Sequence, residues 1–89
     1  MLPFKETPEF GNAYLRIFSG NVKESELKWH WDEEERVIYP LKETDWMFQY
    51  DNRLPIPINS EIKIPKGVWH RIIKGTGDLH IIVEKHRDI

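Results

Sequence analysis

The sequence predicts an all-β chain folded as an antiparallel sandwich or barrel, and three observations carry that expectation. Apolar and polar residues alternate with a period of two almost everywhere. No segment keeps a helical period beyond a turn or two, and turn residues cut the chain at short intervals. Short connections of this kind join antiparallel strands, because a parallel pair needs a long crossover.

The elements follow in order. "MLPFKETPEF" has two prolines and alternating charges, without the apolar core of a signal peptide. "AYLRIFS" alternates and stops at Gly20–Asn21. "ELKWHW" sets Leu27, Trp29 and Trp31 on one face and Lys28, His30 and Asp32 on the other. Asp32 to Arg36 is too short to hold an isolated helix. "RVIYPL", "DWMFQY", "EIKIP", "WHRII" and "DLHIIVE" are short and β-branched or aromatic, as strands are. Between them lie "DNRLPIP", Asn59–Ser60, Pro65-Lys66-Gly67 and Gly75-Thr76-Gly77-Asp78, all turn chemistry. Pro40 and Pro65 cannot donate ladder bonds and belong at strand ends, bulges or edges. Seven or eight strands are expected.

Composition narrows the function classes. The 89 residues fit one domain, 1–89, and leave no room for a second core. A net charge of −2 offers no electrostatic footprint for nucleic acid or an anionic membrane. The apolar runs are too short to span a bilayer. The absence of cysteine removes disulfide and thiolate chemistry and fits the cytoplasm.

Two stretches carry candidate chemistry. In "KWHWDEEER", His30 and Asp32 stand at i and i+2, so on a strand both project toward one point. In "IPKGVWHR", a tight Pro-Gly turn leads into a strand opened by His70. Two imidazoles and one carboxylate make the facial triad used for non-heme Fe(II), with positions left open for substrate or oxygen. The competing reading is a site without metal, in which Asp32 pairs with Arg36 or Lys28.

The spacing Pro65-x-Gly67-x-x-His70 resembles the second conserved motif of the cupins, G-x5-P-x-G-x2-H-x3-N, with Asn59 for the leading Gly and Lys74 for the final Asn. The first cupin motif, G-x5-H-x-H-x3,4-E-x6-G, is met by His30 at its first His. Asp32 stands for the second His, Arg36 or Val37 for the Glu, and Glu24 and Glu43 for the glycines. The resemblance covers about residues 20–85. The pattern "WHxDxxxR…QxDNxLP…IPKxxxHRxIKG" also resembles short cupin-like proteins of viruses of bacteria. The cupin resemblance implies a jelly-roll barrel holding a divalent metal (Fe, Zn, Mn or Ni) on His30, Asp32 and His70. It implies oxygenase, isomerase or lyase chemistry on a small polar or anionic molecule, or else a non-catalytic binding or assembly module with a degenerate site.

Other residues have two readings. Arg36 either forks onto a substrate carboxylate or phosphate, or neutralises the run Glu33-Glu34-Glu35. Glu35 is a reserve fourth ligand if the turn before it holds a bulge. Gln49 lies on a strand that would line the barrel, so it either contacts substrate or serves as a structural amide. Trp29, Trp31, Trp46 and Trp69 are expected in the core or at a dimer surface, and His80 and His86 in solvent. A homodimer is expected because "DWMFQY" is apolar or aromatic on both faces apart from Gln49. Ala13–Ser19, set between Gly11 and Gly20, is the segment expected to cross to the partner.

Overall fold

The computed structural model describes residues 2–87. Eight strands follow one another: β1 (Phe4–Phe10), β2 (Ala13–Phe18), β3 (Glu35–Pro40), β4 (Met47–Tyr50), β5 (Ile56–Pro57), β6 (Ile62–Ile64), β7 (His70–Ile73) and β8 (Leu79–His86). The single helical element among the described residues is a 3-10 turn at Glu24–Glu26. All pairing within the two sheets is antiparallel, in the orders β1-β2-β8-β3-β6 and β5-β4-β7. The architecture is a jelly-roll barrel.

Register decides what the larger sheet turns inward. Phe18 pairs with Leu79, Arg16 with Ile81, and Tyr14 with Val83. Val83 then pairs with Ile38, and Ile38 with Ile62. Residues directly opposite in an antiparallel pair share a face. The inner face is therefore Phe18, Leu79, Ile81, Val83, Ile38, Ile62 and Ile64, all buried, with Arg16 and Arg36 at its polar margin. From the smaller sheet and its loops, Trp46, Phe48 and Ile58 close the core. Trp46 is fully buried and donates its indole N–H to the Gly77 carbonyl at 3.0 Å.

Two sequence expectations are corrected. "ELKWHW" forms no strand: after the 3-10 turn it makes only an isolated bridge at His30. Its Trp29 and Trp31 face solvent, as does Trp69, so Trp46 alone of the four is core. The N-terminal segment, not expected to be a strand, is β1. Pro8 is tolerated there because the strand is an edge, with a register shift between Pro8 and Phe10. Ala13–Phe18 is hydrogen-bonded on both sides, to β1 and β8.

Candidate metal centre

The backbone brings the two candidate stretches together. Pro65-Lys66-Gly67-Val68 closes a turn with Val68 N–H donating to the Pro65 carbonyl at 3.3 Å. Gly67 has φ 77°, which a type II turn requires at that position and a side chain opposes. The turned segment then runs antiparallel to residues 30–32. Gly67 N–H donates to Asp32 O at 2.9 Å, and His30 and His70 exchange N–H···O bonds of 3.0 and 2.9 Å. His30 and His70 are thus a directly opposed pair on one face, and Asp32, two residues on, shares it.

The side chains converge accordingly. One ligand atom from each of His30, Asp32 and His70 lies within 4.8 Å of the others, with His70 and Asp32 buried and His30 open to the cavity mouth. The imidazole rings sit edge to face, 4.3 Å between centroids. Phe48 stacks on His70 from the other side at 5.5 Å and fixes its plane.

Each ring is oriented by a backbone carbonyl. His70 Nδ1 lies 2.8 Å from Val68 O, and His30 Nδ1 lies 3.1 Å from Lys28 O. A carbonyl only accepts, so these contacts assign the proton to Nδ1 in both rings and leave each neutral Nε2 with a lone pair. His70 Nε2 is 3.3 Å from Asp32 Oδ2, and that buried oxygen has no hydrogen-bond partner. With the rings neutral, Asp32 Oδ2 and His70 Nε2 are two electron-pair donors turned toward one point, an arrangement that a shared cation satisfies. A divalent ion fits this donor set, with carbonyl-tethered imidazoles and a carboxylate as ligands.

The electrostatics agree. Burial works to raise the Asp32 carboxyl, but its contact with His70 and the Arg36 charge outweigh it and hold the group below the usual carboxylate range. Burial depresses His30 against the opposing effect of its Lys28 contact, and the neighbouring His70 adds to the depression. Both shifts, the lowered Asp32 carboxyl and the depressed His30 imidazole, favour the forms that ligate a metal ion.

Arg36 lines the cavity from β3, but its guanidinium is already engaged by Asp32 Oδ1 at 3.3 Å and Glu34 Oε1 at 3.2 Å. The sequence offers both of these pairings, one with Asp32 and one with the glutamate run. Gln49 is corrected: it does not line the cavity. It points away from inward-facing Phe48, accepting from Arg71 Nε at 2.9 Å and donating to Arg53 O at 2.8 Å. Glu35 is exposed on the outer face of β3, opposite to Arg36, and does not join the triad. His80 and His86 lie outside the group as expected.

The cavity in front of the triad measures about 250 Å³. Its walls are Phe4, Phe18, Leu27, Ile81 and Val83, with Arg16 among them. Sequence reasoning missed Arg16. The available signal was its place in "AYLRIFS", where the period of two sets it on the face of Tyr14 and Phe18.

No family model and no curated protein matches the chain. Solved structures do. The chain superposes on the DMSP lyase DddQ from Ruegeria pomeroyi with a TM-score of 0.70 at 15% identity, over 86% of this chain and 38% of that one. It thus spans well under half of that enzyme's length. A cupin-2 domain protein from Shewanella frigidimarina gives 0.64 at 18% identity, covering 93% of this chain and 79% of that one. A protein from Neisseria meningitidis gives 0.61 at 13%, covering 93% and 82%. The fold is that of the cupins, as the two motifs implied. The likeness to proteins of bacterial viruses finds no support among these neighbours.

Proposed function

We propose that the protein binds one divalent metal ion on His30, Asp32 and His70 and acts there on a small polar or anionic molecule. The observation that carries this reading is the convergence of His30, Asp32 and His70, with buried Asp32 Oδ2 3.3 Å from His70 Nε2. When bound, the ion would supply Lewis-acid or oxygen-activating chemistry, of the oxygenase, isomerase or lyase type. The chain's own residues supply the rest. Val68 O and Lys28 O hold the imidazoles in the ligating tautomer, Phe48 fixes the His70 plane, and the apolar walls keep water from the reacting molecule. The fold does not choose among these reactions.

One observation favours a second reading. Arg36 stands against Asp32 where the cupin pattern has a glutamate, and with His70 it compensates the carboxylate. In that reading the barrel binds a small molecule without metal or turnover. Metal analysis of protein purified without chelator separates the two. The first reading expects about one ion per chain, lost in His30→Ala and His70→Ala; no ion in the parent would leave the second.

The homodimer belongs to this proposal as well. Its support is the aromatic surface of Trp29, Trp31 and Trp69, exposed by 38%, 47% and 47%. The lack of cysteine supports a cytoplasmic setting. Among the described residues no helix is long and apolar enough to cross a membrane.

A further inference from the structure

We infer that Arg16, rather than Arg36, receives the anionic end of the ligand, and that the ligand is a small carboxylic acid with a short apolar stem. The inference rests on the proposed role of the cavity as a small-molecule site and names the substrate class.

Charge balance separates the two arginines. At Arg36, two carboxylates share one cation: Asp32 at 3.3 Å and Glu34 at 3.2 Å. At Arg16, two cations share one carboxylate, and indeed one oxygen of it: Glu6 Oε1 lies 2.9 Å from Arg16 Nε and 3.5 Å from Lys85 Nζ. The Arg36 guanidinium is therefore taken up by carboxylates of the chain itself, whereas Arg16 and Lys85 together carry one positive charge more than Glu6 balances. An anion entering the cavity is drawn to the excess.

Arg16 is also built to receive it. Its side chain is 13% exposed, and its guanidinium carbon lies over the Phe4 ring, 4.1 Å from the centroid. With Nε given to Glu6, the terminal nitrogens have no protein acceptor among the described residues. A planar guanidinium fixed by stacking and one ion pair, with its fork free, matches a carboxylate bidentately. The floor between the two arginines is β8, which sits between β2 and β3 and presents Ile81 and Val83. Phe18 and Leu27 complete an apolar channel from Arg16 toward the triad. An aliphatic stem of a few carbons satisfies those walls and fits within the cavity of about 250 Å³.

The test titrates butyrate and its uncharged isostere butyramide into the parent, Arg16→Gln and Glu6→Gln, by protein NMR shifts, with metal content and thermal midpoint recorded for each. Butyrate is expected to bind the parent and butyramide not. Arg16→Gln should weaken butyrate about tenfold or more, the loss of a charge-assisted pair. Glu6→Gln frees Arg16 of its competitor and should tighten butyrate several-fold, an effect a merely structural pair would not give. Equal binding of butyrate and butyramide, or butyrate affinity unchanged in Arg16→Gln, overturns the inference. If Arg16→Gln fails to fold, unchanged affinity in Glu6→Gln overturns it. Arg16-dependent butyrate binding in a chain that holds no metal supports this inference and overturns the metal reading alone.

Discussion

Asp32 Oδ2 and His70 Nε2 stand 3.3 Å apart, while the His70 proton is committed to the Val68 carbonyl on the other side of the ring. With both imidazoles neutral, a cation between the two atoms satisfies each of them. A divalent ion that binds the folded chain alone should raise its thermal midpoint. At a hundredfold excess over Kd, the stabilisation is about 2.7 kcal/mol. His70→Ala should abolish the metal-dependent rise. Because ligating imidazoles must be neutral, protons compete with the ion, so the rise should be full near pH 7 and fade below about pH 6. A rise of equal size in His70→Ala would place the ion elsewhere.

Asp45 offers a pH test remote from the triad. It accepts from Thr76 N–H and Thr76 Oγ1–H, both at 2.8 Å, and these bonds hold its carboxyl below the usual range. A depressed carboxylate stabilises the fold above its unfolded value near 3.9, and the benefit is lost as pH falls through the lower folded value. Asp45→Asn should therefore melt earlier than the parent at pH 7, with the gap closing below about pH 4. A gap independent of pH would show that ionisation of Asp45 plays no part.

Trp46 is the keystone of the core, fully buried against Phe18 at 5.9 Å and bonded to Gly77 O. Trp46→Ala should cost about 3–5 kcal/mol, read from urea unfolding at unchanged slope. For a domain this small that is most of the expected stability. A loss under about 1 kcal/mol would mean that the loops bearing Trp46 and Gly77 are not packed as described.

The proposed dimer has a specific surface. The register that pairs His30 with His70 sets Trp31 beside Trp69 and Trp29 beside Arg71, whose guanidinium lies 4.7 Å over the Trp29 ring. Light scattering at micromolar concentration is expected to give twice the chain mass of 10.7 kDa, and Trp31→Glu to return one chain mass. A parent that scatters as one chain removes the dimer.

Much of this was legible before any coordinates. Alternation in "RVIYPL", "EIKIP" and "DLHIIVE" marks β3, β6 and β8 because one face of each is buried and the other is not. Pro65-x-Gly67-x-x-His70 marks its turn because only glycine is easy at that φ. What escaped has physical causes. β1 is an edge strand, mostly exposed and containing proline, so it lacks a strand's pattern. Residues 26–31 alternate as a strand does, yet they form a single bridge, since periodicity records which face is buried and not whether a ladder exists. Gln49 and Arg16 both fall on alternating strands. Only the register shows that Gln49 turns out and Arg16 in.

The central claim is that His30, Asp32 and His70 together hold one divalent ion. X-ray absorption at the zinc edge on protein loaded with one equivalent of Zn²⁺ reads that first shell directly. The expected spectrum shows two imidazole nitrogens at about 2.0–2.1 Å and carboxylate oxygen at about 2.0–2.2 Å, with one imidazole lost in His70→Ala and the other in His30→Ala. A shell of oxygen alone, or one unchanged by either substitution, would contradict the account.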